Sequence, residues 1–237
     1  DKYWEWVANQ FRWMTPWKTV REGDFPDFKF FSGGYMNVAD NCVDRHAENP
    51  DLANKPAIIW EGEPVDESRQ LTYLELRDEV SRCANALKSL GVEKGDVVAL
   101  YMQNLPEAFV VAHACNRIGA IHTILFSGFP ADAIVSRLET AEPKVIVIAS
   151  KSYRRGKGVD LLSTWREAKA DCPSVENTLV FDRSGEQPAL ESGELDYRTL
   201  LDAQSDQCDC EPMEANDPSF LVFTSGTTSK PKGVVHS

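Results

Sequence analysis

Val97-Val98-Ala99-Leu100-Tyr101, then Pro106-Glu107-Ala108-Phe109-Val110-Val111-Ala112-His113-Ala114-Cys115, then Ile121-His122-Thr123-Ile124-Leu125: this stretch decides the fold. The first five residues are continuously apolar, as in a strand buried on both faces. Pro106 suits the first turn of a helix, where its missing N–H is not needed. That helix ends near Gly119, and a second short apolar strand follows from Ile121 to Leu125. Strand, helix and strand within about thirty residues make a parallel βαβ unit.

Working outward in both directions, the alternation continues. A helix is predicted from about Ala131 to Thr140, a strand at Val145–Ala149 and a helix over 160–170. Another strand follows at Leu179–Phe181, then a short helix near Tyr197–Ala203 and a last strand at Phe220–Phe223. Arg183 to Glu194 is polar and Glu-rich, and reads as a surface loop. Upstream, Thr72 and Glu75 form a capping box. Leu76, Val80, Cys83, Leu87 and Leu90 then recur at helical spacing, and Gly91 supplies the left-handed stop. Ala57–Trp60 reads as a short strand, and Asn37 as the cap of a helix reaching about Glu48. Short unbroken strands alternating with helices give α/β, a doubly wound parallel sheet with flanking helices.

Residues 1–50 form a separate N-terminal arm and helix, and 51–237 the first part of the main domain. The arm is rich in Trp and Phe (Trp4, Trp6, Phe11, Trp13, Trp17, Phe25), so it is expected to pack across a larger body. The chain opens at Asp1 without an initiator Met and reads as a piece of a longer protein.

Composition narrows the function. The 237 residues are 42% hydrophobic and 26% charged, ordinary globular values, with a formal charge of −12. That charge argues against a nucleic-acid partner, which selects basic surfaces. No run approaches the ~18 apolar residues of a membrane span. The six cysteines lack zinc-site spacing, Cys208-Asp209-Cys210 included, and read as reduced thiols of a cytoplasmic protein. The four histidines fit no catalytic or metal pattern, so none is assigned a role.

The chemistry lies in Thr224-Ser225-Gly226-Thr227-Thr228-Ser229-Lys230-Pro231-Lys232-Gly233, directly after a predicted strand. Gly226 and Gly233 let backbone N–H groups approach an anion. The hydroxyls of Thr224, Ser225, Thr227, Thr228 and Ser229 donate to phosphate oxygens, and Lys230 and Lys232 add point charges. A Ser/Thr/Gly-rich surface turn is the competing reading of the composition. The position after a buried strand, where doubly wound sheets bind ligands, favours phosphate. The stretch is not a Walker A loop, because Pro231 stands where that pattern requires Gly. A second cationic spot, Arg154-Arg155-Gly156-Lys157, follows the third strand; alone, it is equally a solvated basic turn.

The run from Thr224 to His236 resembles the signature phosphate loop of the adenylate-forming superfamily, which includes acyl-CoA synthetases, luciferases and peptide-synthetase adenylation domains. The family usually has Gly where this chain has Ser229. Asn37 to His46, Arg117 to His122 with Phe126-Ser127-Gly128-Phe129, and Tyr153 to Lys157 are similar to the short-chain, acetyl-CoA synthetase-like branch. The similarity covers nearly the whole chain from about Trp13.

The resemblance implies a two-step reaction. A carboxylate, most simply acetate, attacks the α-phosphorus of ATP to give acyl-AMP and pyrophosphate; the thiol of coenzyme A then takes the acyl group and releases AMP. It implies ATP, Mg²⁺ and coenzyme A. Residues Thr224 to Lys230, Lys232 and Gly233 would grip the ATP phosphates, and Arg154, Arg155, Gly156 and Lys157 the phosphates of coenzyme A. Phe126 to Gly128 would lie near the coenzyme, with Ser127 in place of a common Gly. The catalytic lysine, acyl pocket and magnesium carboxylate would lie beyond Ser237. No residue of this chain is therefore assigned to catalysis or to a metal, and the chain alone is expected to be inactive. Propionate or another small acid, a kinase-like module and a non-catalytic nucleotide-binding relative are the alternatives.

Overall fold

The computed structural model describes residues 1–64, 66–224 and 231–237. The chain opens with helix α1 (Lys2–Ala8), the antiparallel pair β1 (Thr19–Glu22) and β2 (Lys29–Ser32), and β3 (Tyr35–Met36). A π-helical turn, Asp40–Asp44, runs into α2 (Arg45–Ala47). The hairpin β4 (Pro56–Glu61) and β5 (Ser68–Thr72) leads to α3 (Tyr73–Ser89). Then come β6 (Val97–Tyr101), α4 (Pro106–Ile118), β7 (Ile121–Leu125), α5 (Ala131–Ala141) and β8 (Val145–Ala149). The hairpin β9 (Lys151–Arg154) and β10 (Lys157–Asp160) precedes α6 (Leu161–Lys169), β11 (Asn177–Phe181), β12 (Glu194–Asp196) and α7 (Tyr197–Asp202). The chain ends with β13 (Met213–Glu214), β14 (Phe220–Thr224) and β15 (Lys232–His236).

The main sheet has seven strands in the order β12-β11-β8-β6-β7-β14-β15. All its pairs are parallel except β14 with β15, so the sheet is not purely parallel as the apolar runs suggested. The chain steps from β6 to β7 in one direction and from β7 over to β8 and β11 in the other. Right-handed crossovers therefore put α4 on one face and α5 with α6 on the other. In agreement, α3, α4 and α7 pack together, and α5 packs on α6. The sheet is doubly wound.

The core explains the sequence pattern. Every residue of β8 is buried, as are Val98–Tyr101 of β6. Leu76, Val80, Cys83 and Leu87 of α3 face this core. The Thr72–Glu75 capping box forms in both directions, satisfying two otherwise unpaired backbone donors. Gly91 and Gly119 are left-handed at φ +80 and +72, where any Cβ is strained. Asn37 takes the capping position: its Oδ1 accepts from Ala39 N at 2.8 Å, and its amide donates to Asn116 O and Glu211 O.

Two expectations need correction. Glu194 does not close a solvent loop; its side chain is fully buried, begins β12, and is held by Arg166 at 2.6 and 3.0 Å. A buried carboxylate looks like a surface residue in sequence until its partner is placed. The aromatic arm is also only partly packed. Trp13, Trp17 and Phe31 cluster, with Trp17 edge-to-face against the other two, whereas Tyr3, Trp4, Trp6 and Phe25 lie exposed. Polar contacts tie the arm to the body: Asn37 to Asn116 O and Glu211 O, Gly33 N to Glu214, the Asn216 amide to Phe30 O, and Arg117 to Asp44.

Candidate functional site

In an open α/β sheet the ligand crevice forms where neighbouring strands send their connections in opposite directions. Here those strands are β6, leading to α4, and β8, leading to α6, and they are hydrogen-bonded neighbours. The segments leaving their carboxyl ends meet: Gln103 Oε1, just past β6, accepts from Tyr153 N on β9 at 2.8 Å. Between them opens a cleft of about 520 Å³, whose lining includes Trp60, Gln103, Asn104, Phe126 and Arg154 together with the carboxylates Glu61 and Glu63.

The third wall is the loop after β7. Tyr101 Oη donates to Phe129 O at 2.9 Å and anchors it, and the Arg137 guanidinium lies 3.9 Å from the Phe129 ring centroid. Arg154 sits over the Phe126 ring at 5.3 Å, a cation–π contact. Gly128 makes that approach possible. A Cβ there would meet Phe126 at 2.6 Å and an Arg154 nitrogen at 3.0 Å. The structure thus brings together Arg154 and the Phe126–Gly128 segment, two stretches 26 residues apart that the sequence singled out separately.

The cationic spot is not the end of the third strand, as its position suggested, but a hairpin of its own. Arg154 and Lys157 are opposite each other across β9 and β10. Arg155 and Gly156 form the two-residue turn at φ +53 and +73, the left-handed pair that two-residue hairpins favour. The Gly156 amide is engaged by the Glu63 carboxylate from the β4–β5 loop. All four residues are exposed. Three cations in four residues stand out in a chain of charge −12; of these Arg154 lines the cleft, which Glu61 and Glu63 line too.

The phosphate stretch divides. Ser225, Gly226, Thr227, Thr228, Ser229 and Lys230 lie outside the described residues. Thr224 ends β14, while Lys232 and Gly233 are not loop residues but begin β15, with Lys232 the Cα partner of Thr224. The stretch therefore links two antiparallel strands. β14 runs parallel to β7 with Phe220 beside His122 and Leu221 beside Thr123. β14 thus runs parallel to β6, β7 and β8, and Thr224, its last residue, lies at the same carboxyl end of the sheet as the cleft.

Trp60, Gln103 and Asn104 were missed as lining residues. Gln103 and Asn104 had a usable signal, since they directly follow a predicted central strand. Trp60 had none, because only the packing of the β4–β5 hairpin brings it to the cleft, where its indole donates to Asn104 O at 2.7 Å. Among the described residues no group of three or more His, Cys, Asp or Glu converges to hold a metal ion, and no helix is long and apolar enough to cross a membrane.

A doubly wound α/β sheet with a cleft at its switch point defines a class of protein that binds its ligands at the carboxyl edge of the sheet. Within that class, the chain belongs to the AMP-binding enzyme family, whose description matches residues 43–237. Residues 1–42 match the acetyl-coenzyme A synthetase N-terminus. The chain is 44% identical over 237 residues to acetyl-coenzyme A synthetase of Mycolicibacterium smegmatis, covering 99% of this chain and 25% of that protein. It is 42% identical to acetyl-coenzyme A synthetase of Gamma-proteobacterium EBAC31A08, covering 100% of this chain and 37% of the relative. The acetoacetyl-CoA synthetase from Streptomyces lividans superposes with a TM-score of 0.91 at 29% identity, over all of this chain and 36% of that one. The chain thus spans between a quarter and somewhat over a third of the length of these relatives.

Proposed function

We propose that this chain is the front part of an ATP-dependent ligase that activates acetate, first to acetyl-AMP with release of pyrophosphate and then to acetyl-CoA with release of AMP. One observation carries the reading: the Arg154–Phe126–Gly128 cleft and the Thr224–Lys232 hairpin share the carboxyl edge of one sheet. A polyphosphate held at the second would lie on the same side as a coenzyme held at the first, as sequential transfer between them requires. Acetate is favoured by the names of the relatives.

In this reading the backbone amides, hydroxyls and lysines from Thr224 to Gly233 hold the β- and γ-phosphates, offsetting the charge that grows on pyrophosphate as it leaves. Arg154 and Lys157 take the coenzyme phosphates, with Arg155 and Gly156 shaping the turn that presents them. Phe126 would offer an apolar face beside Arg154. Mg²⁺ would accompany the ATP phosphates, but the described residues supply no carboxylate set for it and no step is derived through it. Residues 1–50 form the arm and 51–237 the opening of the adenylating domain. Six free thiols fit a reducing, cytoplasmic setting.

The 237-residue chain alone is expected to show no ATP–pyrophosphate exchange with acetate, because the family's acyl pocket and catalytic lysine are not assigned to it. Joined to the remaining length its relatives have, it should produce AMP rather than ADP, and Lys232→Ala should slow exchange about a hundredfold, the scale of losing one charge-stabilising donor. ADP as product, or an unchanged exchange rate in Lys232→Ala, would remove this assignment.

A further inference from the structure

Arg183 lies behind the cleft and is assigned no task by anything above. It follows β11, and its side chain is only 5% exposed. One terminal nitrogen, Nη2, donates to Glu67 in the β4–β5 loop at 2.7 Å. Its guanidinium carbon sits 4.7 Å from the Tyr153 ring centroid and 5.5 Å from that of Trp60. Nε and Nη1 are buried and have no partner among the described residues.

A guanidinium carries five N–H donors, and burying it with both of these nitrogens unpaired costs more than an apolar side chain of the same volume would. Packing alone gives no reason for an arginine here. What the position supplies is a clamp. Trp60 and Tyr153 both line the cleft, and they come from different elements, β4 and β9. Arg183 contacts both rings, while Glu67 holds its far side. Its backbone is fixed too, since Arg183 N donates to Ser150 Oγ, which in turn donates to Asp182. One side chain thus joins the β4–β5 hairpin, the Arg154–Lys157 hairpin and the end of β11.

We propose that Arg183 is a positioning residue for the coenzyme cleft: it sets Trp60 and Tyr153 as one wall. The inference rests on the coenzyme reading of the cleft, and the experiment separates the two. Isothermal titration with coenzyme A, on the chain joined to the remaining length its relatives have, should show Arg183→Gln weakened about tenfold, equivalent to about 1.4 kcal/mol. Arg183→Lys, which keeps the cation over the rings, should recover to within about threefold of the unmodified protein. A merely structural role would not predict recovery by a side chain that cannot reproduce the planar fork. Glu67→Gln, which frees the guanidinium without changing shape, should weaken coenzyme binding about threefold and decides the matter together with Arg183→Lys if Arg183→Gln does not fold. Unchanged affinity in the folded Arg183→Gln or in Glu67→Gln, or no recovery in Arg183→Lys, overturns the proposal. Failure of the unmodified full-length protein to bind coenzyme A sinks the coenzyme reading itself, and this inference with it.

Discussion

Arg155 occupies the first turn position of the β9–β10 hairpin at φ +53. For a side chain with a Cβ that conformation is strained by roughly 1 kcal/mol; Asn tolerates it and is preferred in such turns. Arg155→Asn should therefore raise the stability of the chain by about 0.5–1 kcal/mol, read as a higher urea midpoint at unchanged slope. A lower midpoint would show that the Arg155 side chain contributes more to the fold than its exposure indicates. The same residue scale explains Gly128. It is present not for a left-handed backbone but because Arg154 and Phe126 occupy the space a Cβ would need.

Between elements, the most consequential link is polar. Arg117 of α4, 4% exposed, pairs with Asp44 at the end of the π-helical turn and donates to the carbonyl of Cys208. Cys210 Sγ reaches the other Asp44 oxygen at 3.4 Å, and burial pushes that thiol up to about 12, so it stays protonated and donates. One carboxylate thus joins the N-terminal arm, the central helix and the segment before β13. Removing one member of a buried pair leaves the other charge uncompensated. Asp44→Ala should cost about 3–5 kcal/mol in chemical unfolding, the range for such a break. A loss under about 1 kcal/mol, the value of an exposed pair, would mean that Arg117 finds another partner.

At the scale of the whole molecule, two histidines make stability depend on pH. His122 of β7 is stacked near Phe220, and burial lowers its imidazole to about 4, with neighbouring His113 acting in the same direction. His113 is lowered too, first by burial and then by Arg117. Both are neutral in the folded chain at pH 7, and both bury an Nδ1 with no partner among the described residues. Unfolded, an imidazole takes a proton near pH 6.5. Below that value the unfolded state binds more protons than the folded one, so stability is full above pH 6.5 and falls as pH drops toward about 4. The His122 share is about 3 kcal/mol. His122→Gln should flatten this acid limb, measured as urea midpoints between pH 7 and 4; an unchanged slope would assign the limb to other groups.

Local chemistry, read from sequence alone, determined the helices, the main strands and the α/β class. Apolar runs such as Val145–Ala149, the Thr72–Glu75 box and the left-handed glycines Gly91 and Gly119 each state their conformation within a few residues. The sequence also singled out Arg154, the Phe126–Gly128 segment and the Thr224–Gly233 stretch, because residues without a place in a core stand out beside core strands. Tertiary structure alone decided that Arg154 lies over Phe126, that Trp60 and Gln103 line the same cleft, that Lys232 opens an edge strand, and that Glu194 is buried. Each of these depends on a partner distant in sequence. The free energy of a strand pairing, an ion pair or a cation–π contact belongs to both members, and only the folded chain brings the second one within reach.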